Sequence, residues 1–599
     1  MSVLETPRIY FRGEVAWDPI TTNNYDSNYD ESTGETIYPH VVDKVKAFRE
    51  QAIAQVVTGG NWNPHGTHRV TFYNTAVCGF DLGSGVAAGD PFVTAAVDFN
   101  GMLVDLEPFG AFSSQLFFNV MSFGVDGGYR ILAPRTSRVT ARYINFNRNA
   151  ANSMIAGVAS VAWQTSFAAS DGLSIDPFDS PVLQRLARAI EPGDVLGLTI
   201  RFNAYRTIYY DNPDLSNGSP GAQAAAQALL SKLKGGGFQP NPARGLLVGV
   251  IGLWRKGEPA HEPGDRTLIP APNSPLGSAH ARLSQTALTL DLSNSVPEID
   301  KNLTKQDLGD LTVVAADPAS GAVTNLGSFD YSQYDRAAYE ASAGIVTVQL
   351  RAGAAQTAAD RDLQVRDAGG TPLLAELALR AIPATPNLYL DQGESVTAAF
   401  QVYDRGRPAA SIVPVSLFKT DASGGNPANP AHVTTDANGV LSIPLTAASD
   451  GIAAFVPSLS AADQPTNGID PQVNTYMYVR MRPADAALAA LEPTWNNVYV
   501  NVLANWNAMA PCMDNWLKLD DPAQVKAYAL ILKRLTHPAN FEDFRFMPVT
   551  RDMSAGQRTL LYKFLDALHD EHDEKGPKPA AQEPHGRSFA ELSRAMRRG

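Results

Sequence analysis

Arg201-Phe202-Asn203-Ala204-Tyr205 places an arginine and a tyrosine four residues apart. Catalases use that spacing to ligate haem iron through a tyrosinate whose pKa the guanidinium lowers. A strand puts residues i and i+4 on one face, so both side chains can meet one ligand. A second candidate is Thr550-Arg551-Asp552, at a helix start. There Arg551 either clamps a carboxylate ligand through paired N–H donors or pairs with Asp552, Glu542 or Asp543 and pins the turn. His65-Gly66-Thr67-His68 brings two imidazoles together in a loop, without the third ligand or the helical register of a metal site. His569 and His572 flank Asp570 and Glu571 in a charged run that reads as solvated.

Other chemistries lack their signatures. No Gly-x-Ser-x-Gly elbow occurs, and neither cysteine sits in a recognisable nucleophile context. Gly235-Gly236-Gly237 is not followed by Lys-Ser or Lys-Thr and does not open a helix, so it is no phosphate loop.

The chain has 599 residues, enough for two to four domains. Its 48 basic and 61 acidic side chains give a formal net charge of −13, which argues against nucleic acid or an anionic membrane as partner. The start, Met1 to Arg8, lacks a basic region followed by an apolar core, and no window is long and apolar enough to suggest a membrane span. Cys78 and Cys512 are the two cysteines, too few for a disulfide framework or a thiolate zinc site. Together these features predict a cytoplasmic, reduced protein.

Positioning elements follow from pattern. Arg8 to Val15 alternates and is β-branched or aromatic, hence an opening strand. Further strands are predicted at 70–77, 92–99, 115–123, 138–146 and 158–167. Asp179-Ser180-Pro181 opens a short amphipathic helix, which Glu191-Pro192-Gly193 stops. Strands then follow at Val195–Phe202 and Gly245–Trp254, the latter apolar on both faces and therefore central. Residues 260–275, with four prolines, read as a linker. Short strands continue to about Leu379, and from Pro383 the order of strands and turns, with Asn438-Gly439 as a hairpin turn, follows that of an immunoglobulin-like sandwich.

The tail differs from the rest. Trp495, Val498, Val502, Trp506 and Met509, then Val525, Tyr528, Ala529, Leu532 and Leu535, recur at helical spacing. Asp521-Pro522 and Ser554 are helix starts, and His537-Pro538 is a stop. The expected architecture is mainly antiparallel β. It comprises a barrel or sandwich over 1–275, a second β domain over 276–382, a sandwich over 383–483, a helical segment over 484–568 and a flexible tail over 569–599.

Three stretches carry a family resemblance: Pro7-Arg8-Ile9-Tyr10-Phe11-Arg12-Gly13; Gly193 to Thr199 with Val248 to Glu258; and Met547 to Ser554. In order and spacing they resemble the N-terminal part of the iminophenyl-pyruvate dimer synthases of violacein biosynthesis, the family that includes the chromopyrrolate synthases. The resemblance spans almost the whole chain and is loose between Gln51 and Asp171. It implies oxidative coupling of two amino-acid-derived imines, haem as cofactor and a small aromatic molecule as substrate. It also implies a continuation into a ferritin-like helical region, where this chain stops at Gly599. A partner protein supplying that region, or a non-catalytic binding or assembly role, is the alternative, and a homo-oligomer is compatible with either. No haem ligand carries over by motif, which leaves Tyr205 with Arg201, His537 and Cys512 as candidates and Arg551 as a candidate for substrate.

Overall fold

A computed structural model describes residues 3–17, 29–30, 35–36, 69–104, 115–125, 128–135, 139–145, 159–191, 193–208, 243–297, 304–332, 335–420, 429–509 and 517–573. The histidine pair His65 and His68, the Gly235 run, Cys512 and the expected flexible tail beyond 573 lie outside them. The chain is mainly β, with most of its described helices at the C-terminal end.

Eight strands form a closed antiparallel barrel in chain order. They are Arg8–Trp17, Arg69–Asp81, Ala96–Val104, Gln115–Phe117, Val139–Asn145, Ala159–Ala168, Val195–Ile208 and Ala243–Arg255, and the last pairs with the first. Alternation turns Leu198, Ile200, Phe202 and Ala204 inward, where they join Phe11, Phe72, Phe99, Phe118, Phe123 and Trp163 in one core. Phe72 stacks on Phe99 at 4.5 Å and Trp163 lies 5.5 Å from Phe202, so side chains fill the barrel. Gly249 is required there, because a Cβ would collide with the Phe11 ring. The helix Pro181–Ile190, capped by Ser180, adds Val182, Leu183 and Leu186 to the same core.

Two strand predictions shift for local reasons. Residues 92–95 form a turn, because the Asp90 carboxylate accepts the Phe92 N–H at 2.8 Å, and the strand begins at Ala96. The run 115–123 breaks at Phe118-Asn119. Gln115–Phe117 stays in the barrel wall, while Val120–Val125 leads into a hairpin that extends the sheet.

The expected linker contains a strand. Arg266–Pro270 lies inside an eight-stranded antiparallel sheet that continues to Leu377 around its own core of Leu268, Leu290, Val313, Leu363 and Leu374. Its prolines fall before the strand, at its last residue and beyond it, so they cost no ladder hydrogen bond in mid-strand. Residues 379–482 form a two-sheet sandwich around Phe400, Val402, Leu441 and Val479. One of its pairings, Asn387–Asp391 with Met477–Arg482, is parallel. A tight turn forms at Asn438-Gly439, with Gly439 at φ 72° and the Asp436 carboxylate accepting from the Asn438 and Val440 N–H groups. It is not the expected hairpin: Ala431–Thr434 pairs with Pro414–Thr420 and Val440–Thr446 with Ser395–Asp404, so the turn crosses between the two sheets.

The helical segment has a separate core of Val498, Val502, Trp506, Leu532, Leu560, Leu561 and Leu565. The stripe predicted from Trp495 to Met509 is one helical run widened to π geometry over Tyr499–Leu503. Asp521 caps Pro522–Ala527 as its sequence indicates. Among the described residues no helix is long and apolar enough to cross a membrane.

Candidate functional site

The outward face of Val195–Ile208 presents Thr199, Arg201, Asn203 and Tyr205, all buried. Polar side chains on the outside of a barrel strand stay buried only when another layer supplies partners. That layer is the second β domain. Asn203 donates to the Ser293 hydroxyl at 2.8 Å, and the Tyr205 hydroxyl meets the Ser293 carbonyl and, at 2.5 Å, the Tyr339 hydroxyl. Lys305 Nζ lies 4.9 Å from the Tyr205 ring and 5.0 Å from that of Tyr339, and donates to the Val296 carbonyl at 3.0 Å.

Arg201 is the centre of the seam. Its guanidinium donates to Gln164 Oε1 at 3.1 and 3.0 Å from two nitrogens, pairs with the Asp291 carboxylate and lies 3.8 Å from Asp265. Asp291 faces His280 across adjacent strands, and His280 Nδ1 is 3.2 Å from the Thr267 hydroxyl. Burial pushes the His280 imidazole well below its ordinary value of 6.5, and the nearby Arg201 and Arg380 charges add to this, so it is neutral. Arg380, from the sandwich, donates to Glu262 at 2.6 Å, to Thr267 at 2.6 Å, to the Pro263 carbonyl at 3.1 Å and to Thr475 at 3.1 Å. Barrel, second domain and sandwich thus meet in one buried polar network of two guanidiniums, three carboxylates and a neutral imidazole.

A cavity lies within it, bordered by Trp163, Gln164, Arg201, His261, His280 and Asn294. It measures about 20 Å³, and one water needs roughly 10–15 Å³ of such space. The cavity therefore holds water-sized molecules. A haem macrocycle does not fit it, and the Tyr205 oxygen beside it is taken up by Ser293 and Tyr339. The described residues of this site do not make a haem seat. The charged groups are committed to one another, so what the arrangement does chemically is hold neutral and charged hydrogen-bonding groups buried and fixed.

The other candidates stand elsewhere. His537 is exposed in the turn after Ala529–Thr536, where its Nδ1 accepts the Ala539 N–H at 3.2 Å. Cys512 is outside the described residues. Arg551 is fully buried, with a left-handed φ of 58°. It donates to the carbonyls of Val549 at 2.7 Å, Asp543 at 2.9 Å and Phe541 at 3.3 Å. Main-chain oxygens thus occupy the place a ligand carboxylate would take, and the turn-pinning alternative is realised through carbonyls. Asp265, Asp291, His280, Glu262 and Arg380 were not singled out from sequence. Their signal is faint: His280 and Asp291 are polar residues in short strands of mixed polar and apolar residues, Ala279–Leu283 and Ala287–Asp291. Among the described residues no group of three or more His, Cys, Asp or Glu side chains is arranged to hold a metal.

No family model matches the chain. It is 24% identical over 441 residues to the 2-imino-3-(indol-3-yl)propanoate dimerase of Chromobacterium violaceum. The match takes in 70% of this chain and 39% of the relative, so the chain spans about two fifths of that protein's length. The two are distantly related. Among solved structures, the D0–D1 domain of intimin covers 33% of the chain and 89% of its own length at 16% identity, with a TM-score of 0.13. The FN1–FN3 domains of chicken CNTN1 cover 36% of the chain and 69% of their own length at 10% identity, also with a TM-score of 0.13.

Proposed function

We propose that the chain takes part in the oxidative dimerisation of an imine derived from an aromatic amino acid, in bacterial specialised metabolism. The observation that carries this reading is the similarity to the indolyl imine dimerase over 70% of the chain. The three stretches quoted from the sequence fit it. Pro7 to Gly13 lies in the first barrel strand and the turn before it, and Gly193 to Thr199 with Val248 to Glu258 spans the strand pair beside it. Met547 to Ser554 lies between the helices Ala529–Thr536 and Ala555–Asp573, and its Val549 packs in one cluster with Met102, Val104 and Phe117 of the barrel.

A binding or assembly role within the same chemistry is the second reading, favoured by the packed barrel interior and by the water-sized cavity in the seam. In that case the chain is a rigid platform, and a partner that supplies a ferritin-like domain does the coupling. Both readings are tested by generating the indolyl imine in situ from tryptophan with an amino-acid oxidase under air. The dimer is then measured by mass spectrometry against an enzyme-free control. Dimer formed by the purified chain above that background supports catalysis. Dimer formed only when a separately expressed ferritin-like partner is added supports the platform role, and background levels with both proteins present reject the proposal. The absorption spectrum tests the haem implied by the family resemblance: a stoichiometric Soret band supports it, and a colourless protein that gains no band on haem titration rejects it.

A further inference from the structure

The Met547 to Ser554 turn has a structural role that neither the imine reading nor the polar seam uses. The helical segment owns a core of its own, and where it meets the rest of the chain the contact is a smaller, distinct cluster. There Met102, Val104 and Phe117 of the barrel and Ile452 and Tyr478 of the sandwich meet Phe541, Phe544 and Val549. Arg551 lies at its centre. Its guanidinium carbon is 3.5 Å from the Phe117 ring centroid and 5.5 Å from that of Phe546, and its three carbonyl bonds fold residues 541–549 around it. An arginine held at positive φ in a buried turn persists only where its surroundings over-determine it.

The barrel side is shaped to receive this loop. The break at Phe118-Asn119 releases backbone groups from the sheet. Arg135 takes the Phe118 carbonyl at 2.5 Å, and the same guanidinium reaches the Glu542 carbonyl at 2.7 Å and its carboxylate at 3.5 Å. Asn119 Oδ1 accepts the Phe544 N–H at 3.3 Å. From the sandwich, Tyr389 meets Phe541 edge-on at 4.8 Å, and Arg482 lies 5.4 Å from the same ring.

We propose that the helical segment is a separately packed unit latched onto the barrel–sandwich seam by Arg551 and the small apolar cluster around it, and that this latch decides whether it is docked. Release uncovers the apolar face of Met102, Val104, Phe117, Ile452 and Tyr478. Docking of the segment is then an equilibrium set by one turn.

The test is hydrogen exchange on the full chain and on two variants. Arg551→Lys keeps the charge but loses the planar fork that reaches three carbonyls. Arg135→Ala removes the contact from the barrel side and leaves the strained turn intact, so it decides the matter should Arg551→Lys fail to fold. The expected result is at least tenfold faster exchange at amides 541–549 and 115–119, with amides 560–565 in the helical core and 198–204 in the barrel wall as protected as in the parent. Unchanged exchange at 541–549 in the folded variants overturns the proposal. So does faster exchange spread equally over 198–204 and 560–565, because that is loss of one cooperative structure and not undocking of a unit.

Discussion

Replacing Arg201 by methionine removes the barrel-wall guanidinium that pairs with Asp291 and lies beside Asp265. The Arg201 and Asp291 side chains are 4% and 7% exposed, and the Asp265 carboxylate is fully buried 3.8 Å away. Deleting one partner of a buried pair strands the other and costs about 3–5 kcal/mol. Here Asp291 keeps the Ser293 N–H at 3.0 Å and hydroxyl at 2.5 Å, and Asp265 keeps the nearby Arg282 charge, so Arg201→Met falls within that range and not above it. Asp291→Asn costs less, because Arg201 keeps Gln164 and Asp265. The double variant Arg201→Met/Asp291→Leu recovers part of the loss, since apolar replacement of a whole pair is far less costly than breaking it. Urea unfolding followed by tryptophan fluorescence reads this, because Trp163 borders the cavity next to Arg201. If Arg201→Met loses less than about 1 kcal/mol, the value of an exposed pair, the seam is not the buried fastening described above and the reasoning fails.

Three further predictions concern single groups. His280 is held neutral in the folded protein, so the unfolded chain binds more protons below its ordinary pKa of 6.5. Its contribution to stability is complete above about pH 6.5 and falls as pH drops, by up to about 1.4 kcal/mol per unit. His280→Asn lacks that component, and urea midpoints at pH 7.5 and 5.5 that move equally in both proteins refute it. Burial pushes the Cys78 thiol up to about 11 from 9.0, which lowers its thiolate fraction at pH 7.5 roughly 100-fold. In a Cys512→Ser background, iodoacetamide modification is slow at pH 7.5 and accelerates towards pH 11, and reaction at the rate of a free thiol contradicts the burial. Ser554 accepts the Gln557 N–H at 3.1 Å and donates its own N–H to Gln557 at 3.0 Å, a reciprocal cap on Ala555–Asp573. Ser554→Ala costs about 1 kcal/mol in the unfolding of the helical segment, measured by circular dichroism, and no loss there removes the cap from the account.

The amino-acid sequence by itself determined the β character of the chain, the Pro181–Ile190 helix, the caps at Asp521 and Ser554 and the Asn438-Gly439 turn. Each depends on residues a few positions apart, where alternation, a missing N–H or a capping carboxylate acts directly on the local backbone. It also placed Arg201 and Tyr205 on one strand face. What that face meets is a matter of tertiary structure. Asp265, His280 and Asp291 come to Arg201 from up to 90 residues away, Asp265 from the loop before a strand and the other two from short strands of mixed polar and apolar residues. Arg551 illustrates the same division. Its charge and its place before a helix are visible in the sequence, yet its partners are three carbonyls and the Phe117 ring more than 400 residues earlier. Main-chain oxygens and ring faces occur everywhere in a sequence and carry no residue-type signal. Only the packing of the helical segment against the barrel decides that Arg551 closes the turn through carbonyls, where the sequence left a ligand clamp open as the alternative to pinning the turn through carboxylates.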